Sequence, residues 1–205
     1  MAFNPSPKQL FAIKSALFAL ALLPLARMVY LTVSGQLVEP LEFLTRGTGD
    51  WTLYFLCMTL TVTPLRRFTG WNWVIKLRRM AGLFTFFYGF LHFLTFLWFD
   101  HFFDVADMLR DVVKRPFITV GFIAFVLLIP LAVTSTNGMI RRLGSKRWQQ
   151  LHRLIYLIAP LGILHFWWMK AGKNNFTEPL ITGAIVAVLL GLRVLWSRQK
   201  AAARV

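Results

Sequence analysis

Apolar residues in this chain gather into long blocks, at roughly 10–33, 51–66, 80–99, 117–136, 150–169 and 179–197, with short polar stretches between them. About 20 consecutive apolar residues carry a helix across the hydrocarbon of a bilayer. The pattern therefore predicts an all-α integral membrane protein, a bundle of six transmembrane helices forming one domain over residues 1–205. The second block is short for a crossing unless it extends toward Gly47 or Arg67. Segments 34–50 and 99–116 read as loops on one side, the latter with room for a short surface helix. Segments 66–79 and 137–149 read as loops on the other side, and their Trp71, Trp73 and Trp148 suit interfacial anchoring. Pro24, Pro130 and Pro160 fall inside blocks, where proline kinks a helix and frees a carbonyl.

The net charge of +15 would suit a nucleic-acid partner if it were spread over a soluble surface. It is not. Lys8, Lys14, Arg66, Arg67, Lys76, Arg78, Arg79, Arg141, Arg142, Lys146, Arg147, Arg153, Arg193, Arg198, Lys200 and Arg204 fall at alternate block ends, with no acid among them. Glu39, Glu42, Asp50, Asp100, Asp104, Asp107, Asp111 and Glu178 all fall at the opposite ends. An excess of Lys and Arg marks the cytoplasmic side, so both termini are expected in the cytoplasm and the basic surface against anionic lipid. In a Gram-negative bacterium this is a multi-pass protein of the inner membrane. The first block is longer than a signal-peptide core and is expected to stay as a helix. Cys57 is the sole cysteine, which excludes an intramolecular disulfide and a cysteine-held iron–sulfur cluster.

One phrase occurs twice. Gly89-Phe90-Leu91-His92-Phe93 and Gly162-Ile163-Leu164-His165-Phe166 both read Gly, bulky apolar, Leu, His, Phe. Histidine inside a membrane helix is costly and signals function. His92 lies 13 residues beyond Arg79, about 20 Å at 1.5 Å per residue, and His165 is five residues short of Lys170. Both rings are thus expected near the outer surface, on helices running the same way. Two imidazoles from facing helices suit iron, and haem is the cofactor that best fits. Gly89 and Gly162, each three residues before its histidine, are expected to make room for a porphyrin edge, with Phe86, Phe90, Phe93, Phe96 and Phe166 as walls. Two protein ligands suit electron transfer over oxygen chemistry.

His152 lies 13 residues before His165, about 20 Å inward on a continuous helix. It either ligates a second, inner haem, opposite Arg79, which cannot bind iron, or serves a flavin or quinone. Its neighbours Arg78, Arg79, Trp148, Gln149 and Arg153 form a basic patch suited to a flavin phosphate or a quinone headgroup. His101 reads as a surface residue of the acidic loop. The competing classes are a stand-alone ferric or quinone-linked reductase, and a transporter or assembly factor whose histidines bridge helices. No acid falls within a block to relay protons.

Further motifs are Trp148-Gln149-Gln150-Leu151-His152-Arg153 after Thr134-Ser135-Thr136-Asn137, Thr63-Pro64-Leu65-Arg66, and Arg78-Arg79-Met80-Ala81-Gly82-Leu83. With His92 and His165 they resemble the haem-binding membrane subunits of bacterial periplasmic methionine-sulfoxide reductase systems. That family sits within the wider ferric-reductase-like transmembrane group, and the resemblance spans nearly the whole chain. It implies an electron-transfer subunit rather than the catalytic one, with b-type haem and FMN. Its donor would be the quinone pool or a cytosolic flavin reductase. Its acceptor would be a periplasmic molybdopterin-containing subunit that reduces methionine sulfoxide in oxidised proteins. On this resemblance His92 and His165 are haem ligands and His152 is the third intramembrane histidine. Larger relatives carry two histidines on each of two helices, and Arg79 stands where the fourth would be. No dinucleotide-binding glycine fingerprint occurs, so electrons from a nicotinamide would have to arrive through another protein.

Overall fold

The computed structural model describes residues 3–172 and 174–202, and among them there is no strand. The helices are α1 (Pro7–Val33), α2 (Pro40–Thr69), α3 (Arg78–Thr95), α4 (Val105–Lys114), α5 (Pro116–Val133), α6 (Asn137–Leu143), α7 (Ser145–His152), α8 (Ile155–Ala171) and α9 (Thr177–Ala202). A 3-10 segment, Asn72–Leu77, leads into α3, and a π-helical turn, Phe96–Asp100, ends it. Five stretches are long and apolar enough to cross a membrane: Pro7–Val33, Asn72–Asp100, Pro116–Val133, Ser145–Ala171 and Thr177–Gln199. Large apolar side chains such as Leu20, Leu23, Ile123, Val126, Val188 and Leu195 are exposed on α1, α5 and α9. In water such faces would aggregate, whereas lipid covers them. The protein is a multi-pass, all-helical membrane protein.

α2 is 30 residues long but is not among the five apolar stretches. It is the central helix, packed on α1, α3 and α9, and it buries Leu53, Phe55, Leu56, Leu60 and Val62. A helix packed against three others need not be uniformly apolar, and most of its threonines are satisfied within it. Thr48, Thr52, Thr59 and Thr61 each return a hydroxyl to the carbonyl four residues back at 2.8 Å. The sequence pattern starts this helix near Trp51 and leaves 34–50 as a loop. The structure corrects that boundary to Pro40. Proline at the first helical position and Glu42 in the first turn both favour the start. The glycines that look like loop punctuation are packing positions. A Cβ on Gly47 would lie 2.4 Å from the Met28 sulfur.

One core joins Leu53, Leu56 and Leu60 of α2 to Leu128 and Leu131 of α5, Ile158 and Phe166 of α8, and Val186 and Leu189 of α9. A second joins Ala21 and Met28 of α1 to Phe55, Phe84 and Tyr88. Tyr88 is fully buried and donates its hydroxyl to the Ala21 carbonyl at 2.7 Å, three residues before Pro24. The bond secures α1 where proline loosens it, a contribution of about 1 kcal/mol.

The polar connections segregate by charge. Arg79 donates to Asn137 at 2.7 Å, and Arg66 to Asn72 at 2.8 Å, at the basic end. Lys170 pairs with Glu178 at 2.6 Å at the other. The loop after α3 does hold a helix, α4, with Met108 and Val112 buried. His101 is not a surface residue. It is 7% exposed, 2.8 Å from Asp107 and 3.3 Å from Asp111, with the Phe96 ring edge-on at 4.7 Å. The two carboxylates one turn apart on α4 draw the ring under the helix.

A paired-imidazole site at the acidic end

Helices α3 and α8 bring His92 and His165 together, with ring centres 6.1 Å apart and planes at 70°. Imidazole–metal bonds of about 2.0–2.1 Å, with ring centres about 1.1 Å behind the nitrogens, would separate two rings on one ion by roughly 6.2 Å. The spacing fits a shared ion.

Each ring is held in the same way. His92 Nδ1 donates to the Thr45 carbonyl of α2 at 2.8 Å, and His165 Nδ1 donates to the Phe117 carbonyl of α5 at 2.7 Å. A proton fixed on Nδ1 leaves the Nε2 lone pair as the ligand, which is the usual support of a metal-binding histidine. Four residues after each accepting carbonyl stands a glycine. A Cβ on Gly49 would lie 3.2 Å from His92 Cε1, and one on Gly121 would lie 2.6 Å from His165 Nδ1. The missing side chains let each ring reach the carbonyl one turn earlier. Sequence reasoning missed Thr45, Gly49, Phe117 and Gly121. The available signal was Gly121, a glycine inside an expected helical block with no turn to explain it; Gly49 lay in the stretch read as a loop and gave none.

Gly89 and Gly162, expected beside a porphyrin edge, also have a packing role. A Cβ on Gly89 would meet Thr52 at 3.5 Å, and one on Gly162 would meet Leu53 at 3.3 Å, so both glycines face α2 and allow close helix packing. Of the expected aromatic walls, Phe86, Phe90 and Phe93 stack on Phe125 of α5 at 6.1, 6.5 and 4.7 Å. Phe96 instead packs on His101, and Phe166 lies in the main core.

His152 does not join the pair. α7 ends at His152 and α8 begins at Ile155, so His152 and His165 do not share one straight helix. The His152 ring stacks on Trp148 at 3.9 Å. The Thr134 hydroxyl gives its hydrogen to the Pro130 carbonyl at 2.6 Å, so it accepts from His152 Nε2 at 3.0 Å. Trp148 Nε1 donates to the Thr134 carbonyl at 2.9 Å. With Nε2 carrying a proton, His152 is presented as a hydrogen-bonding group rather than as an iron ligand through that nitrogen. Arg78 and Arg79 lie close enough to act electrostatically on His152, while Arg153 is exposed in the break between α7 and α8. Among the described residues no group of three or more His, Cys, Asp or Glu is placed to hold a metal.

The bundle is of the ferric-reductase-like transmembrane class: the ferric reductase like transmembrane component family matches residues 47–163. Similar full-length chains are narrower in kind. A protein of Herminiimonas arsenicoxydans is 70% identical over 98% of this chain and 92% of its own length. One of Ralstonia nicotianae is 61% identical over 93% and 88%, and one of Bordetella pertussis is 56% identical over 94% and 94%. All three bear the name protein-methionine-sulfoxide reductase heme-binding subunit MsrQ. This chain belongs to that MsrQ family within the ferric-reductase-like group. No solved structure matches it.

Proposed function

We propose that the chain is the electron-carrying membrane subunit of a methionine-sulfoxide reductase system, a b-type cytochrome in which His92 and His165 hold one haem. The observation that carries the reading is the imidazole pair, 6.1 Å apart with both Nδ1 atoms bound to backbone carbonyls. Haem iron bound there supplies reversible one-electron chemistry. The chain's own part is to hold and orient. Thr45 and Phe117 fix the two rings, Gly49 and Gly121 admit them, and the phenylalanine layer of α3 and α5 keeps their surroundings apolar. Two imidazole ligands leave no open position for oxygen.

With α2 as a sixth crossing, both termini lie at the basic end, which the Lys and Arg excess assigns to the cytoplasm of a bacterial inner membrane. The His92–His165 pair then lies near the periplasm, on the side of the acidic loop from Asp100 to Asp111. That loop would face a periplasmic molybdopterin-containing methionine-sulfoxide reductase subunit. Electrons would arrive at the basic end from the quinone pool or a cytosolic flavin reductase. FMN, where it is used, would find its phosphate partners among Arg78, Arg79 and Arg153, beside His152.

Purified protein is expected to show a Soret band that shifts on dithionite reduction, and to reoxidise when the periplasmic subunit and methionine sulfoxide are added. A colourless preparation would support a transporter or assembly factor instead. Turnover of ferric chelates without any partner would support a stand-alone reductase. His152→Ala is expected to keep the full haem content while slowing reduction by quinol or reduced flavin, followed by stopped-flow absorbance. Loss of haem in that variant would make His152 a ligand.

A further inference from the structure

The basic end holds a second built feature, between α2 and α9. A cavity of about 620 Å³ is lined by Arg66, Arg67, Arg193, Tyr156 and Trp196, with no acid among its lining residues. Each arginine is held yet keeps donors free, since a guanidinium carries five. Arg66 gives Nε to Asn72 at 2.8 Å, and Arg67 lies over the Trp196 ring at 4.5 Å. Arg193 donates to the Tyr156 hydroxyl at 2.6 Å and to the Leu60 carbonyl at 2.8 Å. Leu60 is four residues before Pro64, so its carbonyl lacks the usual helical N–H. The Arg193 side chain replaces that missing partner, while its own Nε is buried with no hydrogen-bond partner.

The cavity does not stand alone. Farther along the same two helices, toward the acidic end, a groove of about 600 Å³ is lined by Cys57, Met58 and Leu65 of α2 and by Ile181 and Ile185 of α9. Its lining is mainly apolar, with Glu178 at the far end, and on α2 it adjoins the basic cavity, Leu65 directly preceding Arg66. Three cations with no acid in their lining, beside a mainly apolar groove on the same helices, match an amphiphile with an anionic head. A neutral quinone would leave the three guanidinium charges uncompensated.

We propose that the α2–α9 groove binds one anionic phospholipid, with its phosphate on Arg66, Arg67 and Arg193 and an acyl chain along Cys57 to Leu65. Basic pockets between membrane helices on the cytoplasmic side are suited to such headgroups. This site is separate from the imidazole pair and does not depend on haem.

The test is native mass spectrometry of the detergent-purified full chain with added lipids. Phosphatidylglycerol is expected to be retained, and phosphatidylcholine of the same chain length is not. Arg66→Gln/Arg67→Gln is expected to weaken phosphatidylglycerol retention about thirtyfold, which corresponds to ~1 kcal/mol for each arginine. Arg141→Gln/Arg142→Gln, on α6 with the same change of charge, is expected to leave retention unchanged. Haem content, expected to stay normal in both variants, reports folding. Equal retention of the two lipids would overturn the proposal, as would equal losses in both double variants, which would mean diffuse attraction to a basic surface. Displacement of the lipid by glycerol phosphate, which has the phosphate but no chain, would overturn the acyl-chain assignment.

Discussion

His165→Ala empties the protein of haem while leaving it inserted and monodisperse. The expected ratio of haem to protein, measured by pyridine haemochrome, falls from near one to near zero, and His92→Ala does the same. The two rings reach the site from different helices, and each is held by a carbonyl of a third or fourth helix. Neither ligand can therefore be replaced by a shift of the other. Removing either also takes a hydrogen bond from the accepting carbonyl, which stays satisfied within its own helix, a cost of about 0.5–1.5 kcal/mol. That cost is small enough for a chain whose cores lie elsewhere to remain folded, with Leu56, Leu60 and Tyr88 untouched. Added imidazole should enter the space vacated in His165→Ala and restore part of the Soret absorbance. Normal haem content in either variant would remove the ligand assignment, and with it the proposed electron-transfer role.

The elements that were legible from sequence are those set by long apolar runs. α1, α5 and α9 fall close to the expected blocks, because lipid selects for continuous hydrophobicity on helices that face it. α2 is the exception that explains the rule. Its first three turns carry Glu42, Arg46, Asp50 and two glycines, yet they are helical, with Gly47 packed on Met28 of α1 and Gly49 on His92 of α3. The break after His152 was equally hidden. Apolarity continues through Leu151, Leu154 and Ile155, and hydropathy does not register a two-residue interruption of helix geometry. At the site, the repeated phrase exposed both histidines, because buried imidazole is rare enough in an apolar run to stand out. The groups that position them are two backbone carbonyls and two glycines, whose chemistry lies in the main chain or in a missing side chain. Nothing in their residue types distinguishes them from loop or packing positions.

Gly121 offers the sharpest test of that positioning. Gly121→Ala places a methyl group 2.6 Å from His165 Nδ1 and 2.8 Å from Cε1, closer than atoms pack, so either the ring or α5 must move. The ring is the softer element, and its movement breaks the bond to Phe117. Loss of such a supporting partner typically weakens metal binding by roughly 10–100-fold, so most of the haem should be missing from the purified variant although both ligands are present. Gly49→Ala should act in the same direction but less strongly, because its methyl group would lie 3.2 Å from the His92 ring and a few tenths of an ångström of adjustment relieves it. Gly89→Ala should bind haem normally, since its nearest contact is 3.5 Å, to a Thr52 methyl group. The order of haem loss is then Gly121, Gly49, Gly89, and it separates two accounts of the glycines. If the glycine of the repeated histidine phrase clears a porphyrin edge, Gly89→Ala would be the damaging change. If glycine clears the imidazole's path to a carbonyl on the neighbouring helix, the damage belongs to Gly121, a residue outside both copies of the phrase.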